Sequence, residues 1–90
     1  MDETEHSLTP ATEDLATESA VLQQVLAFHP VLVTAAELLR EVGGESPGFA
    51  ETDAIERALR DLIGAGLLHE HGKFVVPTRA ALRFSELLDR

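Results

Sequence analysis

The 90-residue sequence contains no cysteine, which excludes a disulfide framework, a thiolate metal site and a thiol nucleophile. It also has no run of roughly 18 to 20 apolar residues, the length that a helix needs to cross a membrane. The acidic N-terminal residues lack the positive and apolar regions of a signal peptide. The composition therefore predicts a cytoplasmic protein with no membrane-spanning segment.

Basic residues are scarce. Seven Lys and Arg side chains stand against 16 Asp and Glu, for a formal net charge of −9. This sign disfavours strong non-specific binding to nucleic acid, because the phosphate backbone is itself a dense polyanion. Six acids and no base lie in residues 1–18, so the remaining 72 residues carry 10 acids and 7 bases, a net charge of −3.

Residues 1–16 show no sustained apolar periodicity and place Pro10 among Thr, Glu and Asp. We predict an acidic disordered tail over 1–16 and a folded domain over 17–90. The tail would solubilise the chain, or it would compete with nucleic acid for a basic face or dock on a partner.

The first helix is predicted over residues 18–28, with Thr17 as its N-cap and an end before Pro30, which excludes helical geometry at the preceding residue. Its apolar residues recur at helical spacing. The short apolar run at residues 31–33 then predicts a first strand that pairs with a later hairpin.

The second helix begins at Thr34 and Glu37, whose spacing is that of a capping box. Gly43 and Gly44 are predicted to end it. Its buried stripe is predicted to consist of Leu38, Leu39 and Val42. About eight or nine residues would then separate it from the next helix, more than a tight helix-turn-helix uses, with Phe49 pinning the loop.

The element around which the sequence is organised is a third helix, predicted over residues 53–65 and capped by Thr52 or Asp53. At 100° per residue, its apolar residues fall on one side. They are Ile55, Ala58, Leu59, Leu62 and Ile63. The opposite side carries Asp53, Glu56, Arg57, Arg60, Asp61 and Gly64.

Two short apolar segments on either side of Gly72 predict a β-hairpin, which Pro77 ends because it has no N–H to donate. Thr78 is predicted to cap a last helix that extends to about Asp89. One stripe of this helix is predicted to consist of Ala80, Ala81, Phe84, Leu87 and Leu88. Leu82 lies off that stripe and is either a dimer contact or an isolated exposed leucine.

The order of these elements, with the segment ALRDLIGAGLL over 58–68 ahead of a turn at Gly72, resembles winged helix-turn-helix proteins. The resemblance covers residues 18–90. It implies a mainly α fold with a small β-hairpin wing, in the order α1-β1-α2-α3-β2-β3-α4. It also implies a DNA-binding, transcription-regulator-like function, in which the third helix enters the major groove. Other winged helices serve as protein-interaction or dimerisation modules.

Base edges and phosphates are contacted mainly by basic and amide side chains. The candidates for contact with double-stranded DNA are Arg57, Arg60, Lys73 and Arg79. Asp53 precedes Arg57 by four residues, and Glu56 precedes Arg60 by four, an order that pairs well along a helix and would neutralise both arginines. Two hypotheses follow: a DNA-binding module, or an acidic protein-interaction or homodimerisation module that does not bind DNA.

His69 and His71 lie two residues apart on a predicted strand, a spacing that suits a pair of metal ligands. No third ligand accompanies them in the sequence, so a solvated wing tip is the favoured interpretation. The sequence also lacks a G-x-S-x-G motif and a phosphate-binding glycine loop. It predicts a binding module without catalytic residues, metal or cofactor, rather than an enzyme.

Overall fold

The computed structural model describes the chain from Pro10 to Asp89. Over these residues the elements are α1 (Pro10–Phe28), β1 (Val33–Thr34), α2 (Ala35–Gly43), α3 (Phe49–Gly64), β2 (Leu68–His71), β3 (Phe74–Pro77) and α4 (Arg79–Leu88). The fold is mainly helical with a small antiparallel sheet, and it has a winged-helix-like layout. The predicted fold class and element order are confirmed.

The core lies where α1, α2 and α3 meet one another and the sheet. Val21 of α1, Leu38 of α2 and Leu68 of β2 are among its fully buried side chains. The apolar stripe predicted for α3 is confirmed: four of its members are buried and Ile63 is half-buried against them. Burial of this stripe fixes which side of α3 faces outward.

The three strands form one antiparallel sheet with β3 in the centre. In the hairpin, His71 pairs with Phe74 across a two-residue turn in which Gly72 has a φ of +64°. The predicted pairing of a first strand with the hairpin is confirmed, since Val33 lies opposite Val75. The paired segment is residues 33–34 rather than 31–33, and both Val31 and Leu32 are exposed.

The start and end of α2 are as predicted. The Glu37 N–H donates to Thr34 Oγ1 at 3.1 Å, and the Thr34 N–H donates to Glu37 Oε1 at 2.8 Å. These two bonds are the capping box, which satisfies two N–H groups that a helix start would otherwise leave unpaired. Gly44 follows the helix with a φ of +91°, a conformation that favours glycine.

The predicted start of α1 is wrong. The helix begins at Pro10, so residues 10–16 belong to α1 and not to a tail, and the predicted boundary at residue 17 falls inside the helix. Thr17 is not an N-cap, because its Oγ1 donates to the Glu13 carbonyl at 3.1 Å within the helix. Proline suits the first turn of a helix, because backbone N–H groups there have no helical acceptor and the lack of one costs nothing. The negative charge of Glu13, also in the first turn, interacts favourably with the positive end of the helix dipole. The rest of the predicted tail, residues 1–9, lies outside the described part of the chain.

The predicted start of α3 is also wrong. The helix begins at Phe49 after an N-cap at Gly48 that has no side-chain hydrogen bond, so neither Thr52 nor Asp53 caps it. Residues 44–48 are therefore the whole connection between α2 and α3, and these five residues approach the length of a tight helix-turn-helix. Phe49 does not pin the loop, because it is 91% exposed.

A further difference concerns α4. Of the apolar stripe predicted for it, only Ala81 is buried, while Phe84, Leu87 and Leu88 are 60%, 53% and 68% exposed. Leu82, which was predicted to lie off the stripe, is half-buried. The helix packs against β3, and the side that carries Phe84 is largely exposed. No helix of the described chain has the length and apolar content needed to cross a membrane.

Candidate interaction surfaces

Arg57, the first candidate for DNA contact, lies on α3 and is held by two carboxylates. One guanidinium nitrogen bonds Asp53 of the same helix, as predicted, and the other donates to Asp14 Oδ1 of α1 at 3.1 Å. The hydrogen bond that Arg57 donates to Asp14 is the main cause that raises the pKa of Arg57 above its usual range. Two carboxylates therefore compensate the positive charge of Arg57. The contact with Asp14 could not be predicted from the sequence, because residue 14 was expected to lie in a disordered tail.

Arg60 is the arginine of α3 that no described residue holds in a salt bridge. The predicted pair with Glu56 is absent, and Arg60 forms no salt bridge with any residue between Pro10 and Asp89. It lies in a shallow depression of about 260 Å³ between α3, the start of α2 and β2. The lining also includes Glu56 and Glu70. With two acids and one base, this depression is negative overall, which opposes the approach of a phosphate backbone.

The other two candidate cations lie on different elements. Lys73 is exposed at the turn of the wing, with its Nζ 5.6 Å from the centroid of the Phe74 ring. Arg79 is exposed as the first residue of α4, and neither it nor Lys73 forms a salt bridge within the described residues. The four candidate DNA contacts are thus spread over α3, the wing turn and α4.

Acidic side chains surround Arg57 along the contact between α1 and α3. Glu18 of α1 lies near Asp61 of α3. Burial, followed by the interaction with the Asp61 carboxyl and by the charge of Asp14, raises the pKa of Glu18 above its usual range. This part of the surface is more acidic than basic, so it does not form the positive stripe typical of a nucleic-acid interface.

Among the described residues, three of the large exposed apolar side chains lie on one side of α4. We call this side the α4 stripe and define it as Ala80, Phe84, Leu87 and Leu88, which are all exposed. Their spacing places them on one face of the helix. Contiguous exposed apolar residues of this kind mark interaction sites more often than scattered ones do.

The charged residues of α4 lie mainly on another side of the helix from the α4 stripe, grouped with Leu82. Arg79 and Arg83 lie in the first half of the helix, and Glu86 and Asp89 lie at its end. An exposed salt bridge at 3.3 Å joins Arg83 to Glu86. Leu82, the predicted partner contact, lines a shallow depression with these arginines and Glu86. Leu82 is therefore not part of the stripe, whose residues helical periodicity had already grouped together.

His69 and His71 are exposed on β2. Among the residues that the structure describes, no group of three or more side chains is arranged to hold a metal ion. Comparison of the chain with protein-family models, with curated proteins and with solved structures yields no match.

Proposed function

We propose that this protein is a cytoplasmic protein-interaction module that associates with a second copy of itself through the α4 stripe. The observation that supports the proposal is the exposure of Phe84, Leu87 and Leu88 on one face of α4. Full burial of a Leu or Phe side chain contributes roughly 1.5 to 3 kcal/mol, so covering three half-exposed ones gives a substantial driving force. A domain of this size also gains from burying apolar surface against a partner.

The charges near α4 favour a second copy as the partner. The whole chain has a net charge of −9, so most pairs of surfaces on two copies repel one another. Residues 79–89 are different, because Arg79 and Arg83 balance Glu86 and Asp89. Two copies can therefore bring their α4 helices together without adding like charge at the contact.

The size of the surface sets the expected affinity. A helix of ten residues is only about 15 Å long, so a contact made by α4 alone is smaller than a standard protein interface. Small interfaces are typical of weak, reversible association. We therefore expect a dimer in exchange with monomer, which must be examined at high protein concentration.

Light scattering on purified chain tests this proposal. The wild-type mass should rise above that of the monomer as the concentration increases, and Phe84→Glu should return it to the monomer value. Phe49→Glu is the matched control, because Phe49 is even more exposed but lies at the start of α3. A wild-type protein that remains monomeric at the highest concentration, or equal effects of the two variants, would reject the proposal.

A specific observation also supports DNA binding as a second candidate function. The five-residue connection between α2 and α3 approaches helix-turn-helix length, and Arg60 forms no salt bridge within the described chain. If α3 binds duplex DNA, Arg60→Ala should weaken binding and reduce its dependence on salt. Arg57→Ala should have a smaller effect, since two carboxylates already hold Arg57. Absence of binding to a duplex pool at low salt, by fluorescence anisotropy, would exclude this candidate.

A further inference from the structure

We infer that His69 and His71 form a two-ligand site for a divalent transition-metal ion on the outer face of the hairpin wing. The ions that suit the site are Zn²⁺, Ni²⁺ and Cu²⁺, which imidazole nitrogen binds well, and not Mg²⁺ or Ca²⁺, which prefer oxygen ligands. Two imidazoles leave the other coordination positions to water or to a group of a partner. The inference is independent of the proposed self-association, because it concerns β2 and β3 and not α4.

Both histidines lie on one face of β2. Successive residues of a strand point to opposite faces, so residues 69 and 71 share a face and residue 70 lies on the other. Leu68 and Glu70 identify that other face, because Leu68 is buried in the core and Glu70 lines the depression beside α3. The two exposed imidazoles therefore lie on the face of the hairpin that is turned away from α3.

The spacing along the strand suits the chelation of one ion. A strand rises about 3.3 Å per residue, so the Cα atoms of the two histidines lie about 6.6 Å apart. Two nitrogens that each bind the same Zn²⁺ at about 2.0–2.1 Å are about 3.3 Å from one another in tetrahedral geometry. The imidazoles close this difference by leaning towards each other along the strand, through rotation about their side-chain bonds.

Pairing within the hairpin holds the two residues at this spacing. His69 lies opposite Val76, and His71 lies opposite Phe74, in the register of β2 and β3. Neither imidazole forms a hydrogen bond or a salt bridge within the described part of the chain. The ring nitrogens are thus available to a metal ion, and the paired backbone lowers the entropic cost of bringing them together.

The charge of the chain also favours a cation at this site. A net charge of −9 raises the concentration of cations near the surface. Lys73 is the opposing charge at the turn of the wing, where its Nζ lies 5.6 Å from the centroid of the Phe74 ring. No described residue holds the second nitrogen of either imidazole, so we expect a moderate affinity, below that of a buried structural metal site.

Titration of the full chain with Zn²⁺, followed by NMR of the histidine ring protons, tests the inference. An excess of Mg²⁺ is present throughout to occupy the carboxylates of this acidic chain. The ring signals of His69 and His71 should shift together and saturate at one ion per chain, while those of His29 should not. Because the chain has four histidines, the double variant His6→Ala with His29→Ala retains only the pair and should bind Zn²⁺ with the wild-type affinity.

The matched control exchanges residues 70 and 71, by Glu70→His together with His71→Glu. Both positions are exposed, and the exchange keeps the composition and the net charge but places the two imidazoles on opposite faces. We expect the affinity to fall at least about tenfold, since even changes outside the ligand shell act on this scale. Equal affinity in the exchanged variant, unshifted ring signals of His69 and His71, or one ion bound per two chains would overturn the inference.

Discussion

Arg57 of α3 and Asp14 of α1 form a salt bridge, with Nη2 and Oδ1 3.1 Å apart. The contact exists because α1 extends back to Pro10, which brings Asp14 alongside α3. Asp53 engages the other guanidinium nitrogen. The arginine that a recognition helix would be expected to offer to DNA is thus part of the packing between two helices.

Asp14→Asn tests this relationship. The side chains are 42% and 45% exposed, so the free energy of unfolding should fall only slightly, and the loss should shrink as salt screens the pair. Urea denaturation of wild type, Asp14→Asn, Arg57→Ala and the double variant gives the coupling between the two residues. Zero coupling at low salt would show that the salt bridge is not maintained in solution.

Local signals explain what could be predicted from the sequence. The capping box at Thr34 involves residues three apart, and the turn at Gly72 requires a positive φ, so short stretches determine both. The α3 stripe, centred on Ile55 and Leu62, was predictable because it repeats over several turns.

The wrong predictions arise where local sequence signals are weak, or where they do not determine the start of a helix or the environment of a helix face. Pro10 was interpreted as a sign of disorder, although proline is also favoured at the first position of a helix. For α4, periodicity correctly grouped Phe84 with Leu88 but could not tell whether the core or solvent lies on that side. Residues that share a face follow from helix geometry, whereas what covers the face depends on tertiary packing. The stripe was therefore visible in the sequence, but its exposure was not.

Glu18→Gln should stabilise the protein at neutral pH. The folded state raises the pKa of Glu18 above its ordinary value of 4.5, mainly through burial. A carboxyl whose pKa is raised on folding contributes stability below pH 4.5, and this contribution is lost as the pH rises through the higher folded value. At pH 7 the ionised Glu18 therefore disfavours folding, and the glutamine removes this effect.

Thermal unfolding followed by circular dichroism at several pH values measures this difference. The melting temperature of Glu18→Gln should exceed that of wild type at pH 7, and the two should converge as the pH falls below 4.5. Glu13→Gln is the control on the same helix, since Glu13 is exposed. A melting temperature for Glu18→Gln at or below wild type at pH 7 would contradict the expected effect.

Thr78→Ala should loosen the helix that carries the α4 stripe. Thr78 Oγ1 accepts from the Ala81 N–H at 3.2 Å and donates to the Gly66 carbonyl at 2.8 Å. Loss of an N-cap hydroxyl costs about 1 kcal/mol, and the second bond adds to this. We expect a loss of roughly 1 to 2 kcal/mol in the free energy of unfolding, measured by urea denaturation.

Thr78→Ser is the matched control for that variant, because serine keeps the hydroxyl that makes both bonds. It should retain most of the wild-type stability. If the serine and alanine variants lose equal stability, the methyl group of Thr78 and not its hydrogen bonds would be responsible.

The most direct test of the central claim is a dilution series of the wild-type chain followed by methyl NMR. Self-association through the α4 stripe predicts that the methyl signals of Leu87 and Leu88 shift with concentration, while those of the fully buried Leu38 and Leu68 do not. Signals that are independent of concentration, or shifts confined to exposed leucines of other elements such as Leu15 and Leu32, would contradict the claim.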